Sequence, residues 1–402
     1  MNTTSSAGHT AILNCWSGVV ALSICAFALV TSEFLPVSLL TPIARDLDVT
    51  EGMAGQGIAI SGIFAVITSL FISSLSGNLD RKLLLLGLTT AMGISGAIIA
   101  LAPNYPIYML GRVLIGVVIG GFWSMSAATA MRLVPTHQVP LALAIVNGGN
   151  ALATVFAAPL GSWLGEVLGW RSAFFCLVPI ALIALVWQWY ALPFMPVTGR
   201  SSRSGHVLQM VRLLKLSGIK MGLVASSMMF MGQFALFTYI RPFLETVTQL
   251  HGTTLSFALL VIGVAGVIGT LLVVRVLQWG FYQTLVVIPL LMAATALGLI
   301  AAGTWFTAVI VLLALWGLTG TSAPVCWWAW ITKVFPNDAE AAGGLFVAII
   351  QLSIALGSTL GGLLFDYSGY QSTFLLSATL LLISALLSIL TAQASTNTIH
   401  NN

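Results

Sequence analysis

The chain has 402 residues, 58% of them hydrophobic and 6% charged. Its 14 Lys/Arg and 10 Asp/Glu make 24 charges, where a soluble chain of this length carries roughly 100. That scarcity excludes a water-soluble fold, and the hydrophobicity excludes a disordered chain. The 39 glycines, spread through apolar runs, fit helices packed in a membrane.

Long continuous apolar runs, in place of alternating segments of about ten residues, select helices over a β-barrel. A spanning helix needs about 20 apolar residues, and the sequence predicts twelve. In chain order they are 16–38, 52–74, 83–101, 107–131, 141–164, 172–194, 218–240, 254–275, 283–303, 306–331, 342–364 and 373–391. The N-terminal MNTTSSAGHTAILN lacks the basic region of a cleaved signal, so the first run is expected to stay as a helix. The hydrophilic break 195–217 divides the chain into six-helix bundles over 1–194 and 218–402. The expected fold class is an all-α membrane protein of 12 transmembrane helices in two bundles.

Orientation follows from cations in the connecting loops. With both termini cytoplasmic, the inner loops hold Arg81, Lys82, Arg132, Arg200, Arg203, Arg212, Lys215, Lys220, Arg275 and Lys333, and the outer loops only Arg45, Arg171 and Arg241. The basic 200–220 stretch reads as this inward signal, with VLQMVRLLK lying on the membrane surface, and not as a nucleic-acid site. Cys15, Cys25, Cys176 and Cys326 are isolated, with no CxxC and no metal spacing. No metal or other cofactor is expected. No Walker loop, HExxH or GxSxG occurs, which disfavours an ATP-driven pump or a hydrolase.

The halves echo each other. LGSWLGEVLGWRSAFF at 160–175 and LGGLLFDYSGYQSTFL at 360–375 share six of sixteen positions without a gap, with Glu166 opposite Asp366 and Trp170 opposite Tyr370. Such repeats are characteristic of secondary transporters.

Twelve helices, a central basic loop and a six-plus-six repeat resemble the major facilitator superfamily. Ser32-Glu33-Phe34-Leu35-Pro36-Val37 resembles a first-helix element of its drug:proton antiporter-1 efflux branch. Leu110-Gly111-Arg112 with Gly116, Gly120, Gly121, Phe122 and Trp123 resembles that branch's fourth helix. Asp80-Arg81-Lys82 resembles its loop motif, and Ala158-Pro159-Leu160-Gly161 its antiporter motif. EFLPVSLLTPIARDL, GGFWSMSAATAMRLVP and GQFALFTYIRP are most similar to the purine ribonucleoside exporters of that branch, and less so to its sugar exporters. The resemblance implies export of purine ribonucleosides such as inosine or guanosine in exchange for protons. Sugars or lipophilic drugs are the alternative solutes. It also implies a monomer in a bacterial inner membrane.

Glu33 lies inside the first apolar run. An intramembrane carboxylate costs a few kcal/mol on insertion scales. Burial favours its neutral form and a nearby cation its charged form, so such a group can take up and release a proton. Arg112, at similar depth in the fourth span, is the expected partner, since the resemblance places helices one and four side by side. Trp123, Asn147, Gln233, Tyr239 and Gln351 are candidate substrate residues: amides read neutral polar edges and rings stack on a base. Amides also tie helices together, and Trp or Tyr near span ends form interfacial belts. Asp80, Arg81, Pro159 and Gly161 are candidate gating residues. Gly148, Gly149, Gly161, Gly165, Gly357, Gly361 and Gly362 are expected to allow close helix contact.

Overall fold

The computed structural model describes residues 15–75, 79–195, 217–334 and 339–400. The helices are α1 (Trp16–Ser38), α2 (Leu40–Asp46), α3 (Glu51–Leu75), α4 (Arg81–Ala100), α5 (Tyr105–Leu133), α6 (Val139–Val167), α7 (Trp170–Phe175) and α8 (Leu177–Ala191). There follow α9 (Ser217–Phe237), α10 (Ile240–Thr246), α11 (Gly252–Trp279), α12 (Phe281–Ala302), α13 (Phe306–Val334) and α14 (Ala339–His400). Among the described residues, 11 helical stretches are long and apolar enough to cross a membrane. The central stretch 196–216, with its predicted surface helix, lies outside the described residues.

The last stretch, Gly344–Gln393, is 50 residues long. Straight, at about 1.5 Å per residue, it would exceed twice the ~30 Å hydrocarbon thickness. It breaks instead at Gly369, whose φ of 78° and ψ of −179° are non-helical. A methyl on Gly357 would sit 2.3 Å from the Met231 carbonyl oxygen, and the Ser377 hydroxyl donates to the Gly232 carbonyl at 2.7 Å. Residues twenty apart on α14 therefore meet neighbouring positions on α9, so the chain doubles back. The sequence predicts a loop over 365–372. The structure makes the reversal at one glycine, because a left-handed φ needs no more than that. Gly169, with φ 84°, makes the matching turn between α6 and α7.

Two further predicted loops are partly helical. The segments after the first and seventh spans form α2 and α10, offset from each other by 200 residues. Asp48 and Gln249, with φ of 53° and 59°, turn the chain into α3 and α11. Arg241, expected in an outer loop, belongs to α10 and is 8% exposed. Its Nε donates to Glu245 Oε1 at 2.8 Å, and its Nη1 donates to the Ser38 carbonyl. Those acceptors replace the water a loop would have supplied.

Apolar side chains gather in one cluster drawn from residues 19–195 and another drawn mostly from 223–381. A third, with Leu35, Leu39, Tyr108, Trp170, Phe174 and Tyr239, closes one end. Glycines set the crossings. A methyl on Gly149 would sit 2.0 Å from the Ser23 carbonyl oxygen, and one on Gly161 would sit 2.5 Å from Ser38 Oγ, so α6 lies directly on α1. A methyl on Gly263 of α11 would sit 2.7 Å from Val155 Cα of α6, joining the two halves of the chain. Gly148, also expected at a contact, has open space beside it.

Candidate functional site

The site starts from a proline. Pro36 lies inside α1 and has no N–H, so the carbonyl four residues earlier loses its helical partner. That carbonyl belongs to Ser32, and in hydrocarbon it must be satisfied by protein. Arg112 of α5 satisfies it: Nη1 donates to Ser32 O at 3.0 Å. The other contacts of the guanidinium reach α3, where Nε donates to Gly57 O and Nη2 to Ser61 Oγ, both at 2.9 Å. Arg112 is fully buried, a three-way clamp on α1, α3 and α5.

Glu33 is the next residue along α1 and is 7% exposed. Its Oε1 accepts a hydrogen bond from Gln351 Nε2 of α14 at 3.2 Å. Glu33 and Arg112 are near enough for their charges to act on one another. They form no ion pair with one another, unlike Arg171 with Asp46 and Arg241 with Glu245. The expected partner of the carboxylate is thus engaged by neutral acceptors, and the direct contact of Glu33 is an amide from the other end of the chain. Gln351 Oε1 is buried with no partner. A buried carbonyl of that kind is one donor short, and a carboxylic proton or a solute hydroxyl could supply it.

The proline device recurs. Pro324 inside α13 leaves the Gly320 carbonyl without its helical donor. Gln233 Nε2 of α9 donates to that carbonyl at 3.3 Å, while its Oε1 is buried and unpartnered. Ser32 and Gly320, each four residues before a proline, are the signal from which both partnerships could have been found.

The remaining candidates are dispersed. Tyr239 is fully buried at the closed end, donating to Ser358 O at 2.8 Å and stacked on Phe365 at 5.2 Å. Asn147 is exposed, its Nδ2 on Leu143 O at 2.9 Å. Trp123 is half-buried, edge-on to Phe122. Trp327 and Trp330, near the expected interfacial belt, are buried edge-to-face, whereas Trp328 is exposed. Of the gating candidates, Asp80 caps α4, accepting from Lys82 N at 2.7 Å, and the Arg81 amide donates to Met195 O at 3.3 Å. Pro159 lies inside α6, and Gly161 seats that helix on α1. Among the described residues no group of three His, Cys, Asp or Glu could hold a metal ion.

Comparison with known proteins fits this architecture. The chain is 71% identical over 379 residues, 94% of each chain, to the transcription regulatory protein OpdE of Pseudomonas aeruginosa. It is 39% identical over 371 residues, 92% of each chain, to the purine ribonucleoside efflux pump NepI of Salmonella enteritidis, and 38% identical to NepI of Salmonella typhi. The model of the Major Facilitator Superfamily matches residues 22–346 and 278–399. With multiple spanning helices, close glycine crossings and a polar centre held between α1, α3, α5 and α14, this chain is a multi-pass membrane transporter of the major facilitator superfamily.

Proposed function

We propose that the chain is a proton-coupled antiporter that exports purine ribonucleosides, such as inosine or guanosine, from the cytoplasm. Its twelve spans form two six-helix halves, 1–194 and 218–402, joined by a cytoplasmic basic linker at 195–217. It acts as a monomer in a bacterial inner membrane with both termini inside. The observation that carries this reading is the Glu33–Gln351 hydrogen bond. A deep carboxylate of the first half touches an uncharged amide of the second, so its protonation changes a contact between halves. In the cycle, Glu33 is ionised while the cytoplasm-facing state loads solute. An external proton neutralises it after reorientation, and solute leaves. Moving one charge through 100 mV supplies about 2.3 kcal/mol, enough for tens-fold accumulation. Gln351, with its orphaned carbonyl, and Gln233 are the amides that meet the solute. Trp123 and Asn147 line its inner approach. Tyr239 serves packing at the outer end, and Asp80, Arg81, Pro159 and Gly161 act in gating.

The substrate class rests on the 39% identity to pumps named for purine ribonucleosides. The test is efflux of labelled inosine from proteoliposomes under an imposed pH gradient. Wild type should export, and Glu33→Gln should fall to the level of empty vesicles while eluting as folded protein. Undiminished gradient-driven export by that variant overturns the assignment of Glu33.

The 71% relative named for transcription regulation supports a second reading. The chain has 14 cations, five of them in the 200–220 stretch that reads as an inward orientation signal, and they do not make a DNA-reading surface. A transporter that lowers the cytoplasmic level of an effector solute acts on transcription without touching DNA. If so, Glu33→Gln abolishes any transcriptional effect of the gene together with export. A retained effect points to a sensor role independent of transport.

A further inference from the structure

The 200-residue offset continues into the end of the molecule where residues 47–50 and 247–251 turn. α3 begins at Glu51 and α11 at Gly252, and each has a glycine in its first turn, Gly52 and Gly252. The first turn of a helix exposes N–H groups without intrahelical partners and carries a partial positive charge. At α3 a carboxylate from the other half of the chain fills that position. Asp366 Oδ1 accepts from Gly52 N at 2.9 Å and Oδ2 from Thr50 Oγ1 at 2.6 Å. Thr50 Oγ1 in turn accepts from Met53 N at 3.1 Å, so one chain of hydrogen bonds runs from the α3 backbone into α14. A methyl on Gly52 would lie 2.7 Å from the Gly362 carbonyl oxygen, so the approach depends on glycine.

A carboxylate also lies against the start of α11, with the halves exchanged. Glu166, at the end of α6, places Oε1 2.8 Å and Oε2 3.4 Å from where a methyl on Gly252 would be. Glu166 and Asp366, like Gly52 and Gly252, are 200 residues apart. The position matching Thr50 is Leu250, which has no hydroxyl to donate. One contact is therefore a hydrogen-bonded cap and the other a carboxylate resting on a helix start.

We propose that Asp366 and Glu166 are twin latches that hold the two halves of the chain together at this end, each seating a carboxylate on the first turn of the opposite half's helix. Opening this end requires both to leave. The latch at Asp366 is the stronger because Thr50 adds a donor. Neither latch draws on the proton chemistry of Glu33, so the idea stands apart from the identity of the solute.

The test is a distance measurement between spin labels at Leu101→Cys and Trp305→Cys, both exposed at this end, in a background lacking the native cysteines and in lipid nanodiscs. Wild type should give mostly the short separation. Asp366→Asn should raise the separated population about three- to tenfold, as expected for loss of an anion at a helix start. Glu166→Gln should raise it less, and the double variant more than either. Tyr367→Ala, one residue along and exposed, should leave the distribution unchanged. Should Asp366→Asn fail to elute as folded protein, Thr50→Val decides, since it removes only the hydroxyl partner. An unchanged distribution in Asp366→Asn, or in Thr50→Val where that variant decides, overturns the proposal. Equal effects from Tyr367→Ala and Asp366→Asn do so as well.

Discussion

The α1–α5 crossing and the α9–α13 crossing answer one problem with different chemistry. Each contains a helix whose proline strips a carbonyl of its donor, Ser32 before Pro36 and Gly320 before Pro324. Each brings a side chain from the facing helix to supply one, Arg112 in the first and Gln233 in the second. The roles are exchanged, with the proline on the earlier helix in one crossing and on the later in the other. More important is the charge. The first crossing takes a guanidinium with two further anchors on α3, and beside it lies a carboxylate. The second takes a neutral amide. Two halves with a common repeat have thus diverged where charge is needed: the ionisable pair sits in one, and the other answers with amides.

Removing the guanidinium breaks the comparison hardest. Arg112→Ala leaves the Ser32 and Gly57 carbonyls and the Ser61 hydroxyl without their buried donor and leaves Glu33 without a cation nearby. Losing one member of a buried charged network costs about 3–5 kcal/mol. Thermal unfolding in detergent should show the largest fall of any variant here. Arg112→Gln, which gives the first crossing the chemistry of the second, should recover part of that stability but not export. Full export by Arg112→Gln would mean that the charge difference between the crossings has no role.

Pro36→Ala separates stability from transport. Alanine is about 3 kcal/mol better than proline inside a helix, and its N–H can close the bond to Ser32 O. Arg112 Nη1 then loses its need to stay there and is free to turn towards the neighbouring carboxylate. The expected outcome is a melting temperature at or above wild type with export reduced about tenfold, the cost of one charge-assisted hydrogen bond diverted. Both quantities are read on one preparation. Unchanged export would show that the Ser32 carbonyl does not hold Arg112 away from Glu33.

These variants also mark how much was legible beforehand. The spans follow from apolar runs because the bilayer fixes their length, and Glu33 and Arg112 stand out because charges there are rare. The pairing was not legible from charge alone. A guanidinium beside a carboxylate suggests an ion pair, but a carbonyl freed by Pro36 and the close approach of α3 offered Arg112 three acceptors first. Gln351 as the contact of Glu33 depends on α3 and α14 packing at Gly62, 289 residues apart in sequence. Arg241 differs for a similar reason: the sequence places this cation in an outer loop, whereas α10 folds it onto Ser38 and Glu245. The reversal at Gly369 was readable only as a loop, since helix continues on both sides.

The smallest effect belongs to the neutral crossing and sharpens the comparison most. Gln233→Leu should cost about 1–3 kcal/mol, because it strands the Gly320 carbonyl in a buried site. In a Pro324→Ala background the residue at 324 has an N–H to close the helical bond, so the same substitution should cost close to nothing. A double-mutant cycle of melting temperatures isolates that coupling. Equal costs in both backgrounds would place the importance of Gln233 elsewhere, in its buried Oε1 and whatever donor reaches it. Gln233 would then serve the solute alone, and the α9–α13 crossing would no longer be the neutral counterpart of the Arg112 clamp.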